Sequence, residues 1–172
     1  MERVIKLINN MNELAGKLAS WLTGLLVLLV CFNVVYRYLL SENQNWLKEL
    51  EWHLFALIFL LGAGYTLLKD KHVRVDLFYE RFSPKDQASL NFWGSLLFLI
   101  PWCVLLIITS WNYAMASLSI QEGSPEPGGI PYWYPIKFAI PLGMGLLLLQ
   151  AIALLLTSWQ TLRKKNLNQQ DT

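Results

Sequence analysis

The long apolar runs of this sequence are almost without charge, and that absence decides its class. Charged residues make up 15% of the 172 positions and hydrophobic residues 55%, with a mean hydropathy of +0.37. Histidine and cysteine are scarce, at two each. Cys31 and Cys103 each stand alone in an apolar run, with no CxxC pair and no His/Cys cluster at ligand spacing. That excludes a structural zinc site and a thiol–disulfide enzyme, and it reads both thiols as small buried apolar groups. No water-activating or phosphate-cradling motif is present. Neither catalytic residues, a metal nor a cofactor is therefore expected, and the chain reads as a non-enzyme. A net charge of +2, carried by basic residues in short loops beside apolar runs, offers nothing to nucleic acid.

What is present is four runs, each long enough to cross a bilayer core as a helix of roughly 20 residues. They cover about 18–40, 46–68, 90–111 and 135–159. No polar linker is long enough to separate a second domain, so residues 1–172 read as one all-α integral membrane domain of four transmembrane helices. Ahead of the first run, Val4, Leu7, Ile8, Met11, Leu14 and Leu18 recur at three- and four-residue spacing, opposite Glu2, Lys6, Asn9, Asn10 and Glu13. That pattern predicts an N-terminal amphipathic helix lying in the membrane interface. The run from Leu18 is too long for a signal-peptide core, and no A-x-A site follows it. Ser83 before Pro84 marks a helix start. Pro101 predicts a kink in the third run. Residues 112–134, with their Ser-Pro, Glu-Pro, Gly-Gly and Ile-Pro pairs, predict a loop full of turns.

Counting lysines and arginines orients the molecule. Arg3, Lys6, Lys17, Lys69, Lys71, Arg74, Arg81, Lys85, Arg163, Lys164 and Lys165 fall on one side, against Arg37, Lys48 and Lys137 on the other. The positive-inside rule then puts both termini and the 69–89 loop in the cytoplasm. Trp21, Trp93 and Trp159 mark the inner boundary, and Trp46, Trp111 and Trp133 the outer one.

A charge deep in a membrane is a default functional site, because burying it is expensive. Here Arg37, Glu49, Glu51, His53 and Lys137 all lie toward the outer boundary. An ion-coupled carrier needs a midplane site on broken, repeated helices; the two halves show no repeat and no midplane acid. The chain alone is not expected to transport. The alternatives are a self-sufficient small carrier and a membrane redox or quinone protein, the latter requiring Cys or His ligands within the spans. Ser20/Gly24 and Ala139/Gly143 are small-xxx-small pairs that invite close helix approach, and Asn33 is placed to hydrogen-bond across helices. The plain reading of Glu49 and Glu51 is a solvated helix start. The sharper one pairs Arg37 with Glu49, which fall at similar depth across the first hairpin, with Glu51 rotated ~200° away.

Certain residues recur in a recognisable order: Arg37-Tyr38, Trp46-x-x-Glu49, Leu61-Gly62-Ala63-Gly64-Tyr65 and His72-Val73-Arg74-Val75-Asp76. Glu122, Ser124, Gly129-Ile130-Pro131, Trp133, Pro141-x-Gly143 and Gln150 follow. With these motifs the chain resembles, over most of its length, the small membrane subunit (DctQ type) of tripartite ATP-independent periplasmic, or TRAP, transporters. The resemblance implies a three-part importer in a bacterial inner membrane. A periplasmic binding protein captures an organic acid, and a large multi-span subunit moves it on a sodium or proton gradient. The small subunit braces the large one and offers outer loops for docking. The resemblance also implies structural or partner-contact roles for Arg37, Trp46, Glu49, Glu51, Gly62, Gly64, His72, Arg74, Asp76, Pro141 and Gly143. Many relatives carry two adjacent acids after the tryptophan. Here the pair reads Lys48-Glu49 with the next acid at Glu51, which leaves both carboxylates as candidates.

Overall fold

The computed structural model describes residues 1–40, 44–70, 79 and 82–168, and no strand occurs among them. Five helices are seen: α1 (Glu2–Leu40), α2 (Asn45–Leu68), α3 (Pro84–Gly94), α4 (Ile100–Ser119) and α5 (Tyr134–Asn168). A π turn, Ser95–Leu99, joins α3 to α4 as one rod. Four stretches are long and apolar enough to cross a membrane: Glu2–Leu39, Asn45–Leu68, Pro84–Ser119 and Tyr134–Arg163. The four-span, all-helical reading therefore holds.

Two expectations change in detail. No break separates an interfacial helix from the first span, because residues 2–17 are the opening turns of α1. At ~1.5 Å per residue this helix reaches about 58 Å, nearly twice a bilayer core. Its buried face is Ile8, Asn12, Ala15 and Ala19, while the bulkier Leu7, Leu14 and Leu18 are exposed. Small side chains let helix backbones approach, and large apolar ones lose nothing by facing lipid. The second change is at Pro101. The kink takes the form of the π turn, in which the Ile100 N–H bonds to the Ser95 carbonyl five residues back. Pro101 has no N–H with which to resume the α register against Leu97. The predicted start at Ser83 stands, since its hydroxyl accepts from the Asp86 N–H at 3.3 Å with Pro84 in the first turn.

Helix α5 is central and packs against α1, α2 and the rod. It runs parallel to α2, with Gly143 against Leu60 and Leu146 against Gly64. Helix α1 is antiparallel to α2, tied by Asn33 to Glu51 near one end and by Glu13 to Lys69 near the other. Against the rod, Phe138 meets Trp111 and Trp159 meets Phe92. Leu67, Cys103, Leu147 and Ala151 form a buried cluster where α2, α4 and α5 converge. Cys103 is buried there as expected, but Cys31 is exposed, on the outer face of α1. Both ends of the described chain lie at the same end of the molecule, where Glu2 and Gln160 line a common groove.

Candidate functional site

Glu49 stands in the second turn of α2 and is only 6% exposed. The segment between α4 and α5 folds over it. One carboxylate oxygen accepts from the Ser124 hydroxyl. The other accepts from the Ile130 N–H at 2.7 Å and from the Trp133 indole N–H at 3.3 Å. A buried carboxylate is tolerated when its lone pairs are filled this way. The loop is also closed on itself. Ser124 N–H donates to the Ile130 carbonyl at 3.0 Å, and Trp133 N–H to the Glu122 carbonyl at 2.8 Å. Gly129 sits so close to the carboxylate that a Cβ there would strike Glu49 Oε1 and the Ser124 side chain. Gly128, with φ of 72°, turns the backbone into that approach.

A second tie comes from α5. Lys137, 7% exposed, pairs with Glu122 and lies 4.1 Å from the centre of the Tyr113 ring. Glu122 lies in the loop, and its carboxyl is held below the usual carboxylate range chiefly by the Lys137 hydrogen bond. Asn45 donates to the Pro127 carbonyl at 3.0 Å, and Trp52 meets Trp133 edge-on at 5.6 Å. The loop between α4 and α5 is thus clamped from α2 on one side and α5 on the other.

The expected Arg37–Glu49 ion pair does not form. Arg37 is exposed and lies over the neighbouring Tyr38 ring at 5.6 Å. The acid that faces α1 is Glu51, which accepts from Asn33 at 2.7 Å. Two positions along a helix is ~200° of rotation, so Glu51 points at the hairpin partner and Glu49 away from it, under the loop. Of the other residues singled out, Trp46 is exposed, at 43%. His53 lies one turn below Glu49, its Nδ1 2.5 Å from the Glu49 carbonyl and its ring against Trp52. Pro141 and Gly143 are buried in α5. His72, Arg74 and Asp76 lie outside the described residues.

A second polar layer sits about 22 Å further along α2, at ~1.5 Å per residue from Glu49 to Gly64. Asn12, fully buried, donates to Gln150 Oε1 at 3.0 Å, and Gln150 donates to Asn9 Oδ1 at 3.1 Å. A Cβ at Gly64 would collide with Asn12 Oδ1 and approach the Leu146 carbonyl, so this glycine lets three helices meet. At Gly143 a Cβ would press on Leu60. Gly62, by contrast, faces open space. It lines a groove of about 520 Å³ between α1 and α2 with Gly16, Ala19, Ser20, Thr23 and Ala63. Asn9 and Asn12 escape a reading of the sequence because a polar stripe on an N-terminal helix looks water-facing. The signal that points to them is the lone Gln150 in the apolar stretch of the last span.

Between these layers α2 carries no charge from Leu54 to Leu68, and no His/Cys/Asp/Glu cluster able to hold a metal occurs among the described residues. Four apolar rods, polar at both ends and uncharged between, define a multi-pass membrane component. The chain belongs to the family of tripartite ATP-independent periplasmic transporters, DctQ component, whose pattern matches residues 26–161. It is also similar to the C4-dicarboxylate TRAP transporter small permease protein DctQ of Vibrio cholerae serotype O1. The two are 30% identical over 96 residues, covering 56% of this chain and 41% of that protein. The match thus spans less than half the length of that relative.

Proposed function

We propose that this chain is the small subunit of an inner-membrane solute importer, with both termini in the cytoplasm, bracing a large multi-span subunit. Its outer loop helps dock a periplasmic binding protein that delivers an organic acid; the named relative is the small permease protein of a C4-dicarboxylate TRAP transporter, and this importer takes an acid of that class or a neighbouring one. The observation that carries the reading is the clamped outer loop. A segment held by Glu49 and Lys137 is ordered before any partner arrives, so docking costs little further loop entropy. The uncharged stretch between the polar layers supports an accessory role, and the Lys/Arg count supports the orientation. The groove beside Gly62, lined by small residues, leaves room for a helix of the large subunit to pack closely.

The test is co-purification from mild detergent. Tagged chain should bring down one large polytopic subunit in about equal ratio. Recovery of free monomer or homodimer alone, with both proteins intact, counts against the proposal. Arg74→Ala and Asp76→Ala extend it: each should lower complex yield or solute uptake while insertion stays normal. Wild-type yield and uptake in both would reduce that segment to a basic anchor.

A further inference from the structure

We propose that the end of the molecule where α1 begins and α5 finishes is a binding site for the phosphate of an anionic phospholipid. Here α1 and α5 run antiparallel and leave between them a groove of about 570 Å³ lined by Met1, Glu2, Arg3, Trp159, Gln160 and Arg163. A neighbouring groove adds Lys6. The cations come from opposite ends of the sequence, and only the packing of α1 on α5 brings them together. Elsewhere the described cations near polar layers are engaged: Lys69 holds Glu13, and Lys137 holds Glu122. The side chains of Arg3, Lys6 and Arg163 make no ion pair or hydrogen bond with the described residues. Two guanidinium groups on facing walls are suited to a phosphodiester, because each offers paired donors to its oxygens.

The surroundings point to a lipid and not a soluble anion. Trp159 is half exposed beside the arginines, the position in which an indole sits at headgroup level. Arg3, Leu7, Met11, Leu14 and Leu18 follow one another at three- and four-residue spacing on α1, and the three leucines are 62%, 61% and 51% exposed. A phosphate held at Arg3 therefore has an apolar strip beneath it on which acyl chains can lie. The leaflet, though not the site, rests on the orientation proposed above. The excess of basic over acidic groups favours an anionic headgroup, which polybasic segments at a membrane surface attract.

Native mass spectrometry of the full chain in detergent, titrated with dioleoylphosphatidylglycerol, reads the occupancy directly. Arg3→Gln and Arg163→Gln should each weaken the first binding event about fivefold, and the double variant roughly 25-fold. Glu2→Gln should strengthen it, a gain that misfolding cannot mimic. Lys17→Gln, an exposed cation outside the groove, should leave it unchanged. Equal occupancy in wild type and double variant would overturn the site. A loss at Lys17 equal to that at Arg3 would reduce it to general surface charge. Equally tight dioleoylphosphatidylcholine would overturn the anionic preference, and displacement by inorganic phosphate would make it a soluble-anion site.

Discussion

Glu49 and Glu51 are two positions apart and meet different regions of the molecule, one under the loop between α4 and α5 and the other on Asn33. Their roles at the residue scale follow from that rotation. Glu49→Ala strands the Ile130 N–H, the Trp133 indole and the Ser124 hydroxyl, and loss of hydrogen bonds to a charged group costs ~1.5–3 kcal/mol each at most. Glu49→Gln keeps an acceptor for Ile130 and should lose much less. Thermal unfolding in detergent should therefore rank wild type, Glu49→Gln, then Glu49→Ala. Because Arg37 is exposed and pairs with neither acid, the exchange Arg37→Glu/Glu49→Arg should be no more stable than Glu49→Arg alone. Recovery in the double variant would restore the hairpin ion pair as the better account.

At the scale of the element, the loop between α4 and α5 is the piece whose order depends on charge. Glu122 is held below its ordinary value of 4.5, chiefly by the Lys137 hydrogen bond. A carboxyl whose folded pKa lies below its unfolded one adds stability that is fully present above the unfolded value. That stability is lost as pH falls through the folded value. The clamp should thus hold from neutral pH down to about pH 5 and loosen only in stronger acid. Hydrogen exchange at Trp133, whose N–H bonds to the Glu122 carbonyl, should show protection falling in that acid window. In Glu122→Gln the protection should already be lower at neutral pH and lack the acid step. An identical profile in the two proteins would mean that Lys137 and Glu122 do not set the loop's order. The π turn is likewise an element-scale outcome: Pro101 signals a distortion, but whether it becomes a bend or a register shift depends on packing against α5.

For the whole molecule, glycines separate faces packed within the chain from faces left open. Gly64 lies against Asn12 and Leu146, and a Cβ there has no room; Gly64→Ala should cost ~1–3 kcal/mol by overpacking and lower the melting temperature of the isolated chain. Gly62 faces open space, so Gly62→Ala should leave the isolated chain as stable as before or slightly more so. If the groove receives a helix of the large subunit, the same substitution should reduce co-purification. Undiminished complex yield from Gly62→Ala and from the larger Gly62→Leu would place the partner elsewhere. By itself the sequence determined the number of crossings, the all-helical class, the start at Ser83 and the turns before α5, although residues 112–119, expected in that loop, continue α4 as far as Ser119. These depend on local quantities: run length, hydropathy, proline and cap chemistry. Only the tertiary structure decided which face of each helix is buried, and with it the partners of Glu49, Asn12 and Gln150 and the meeting of Arg3 with Arg163. The physical reason lies in the solvent. In a bilayer both the protein interior and the surroundings are apolar, so hydropathy does not select a helix's rotation about its axis. Small residues and a few distant hydrogen bonds make that choice, and one residue of shift turns a side chain by ~100°.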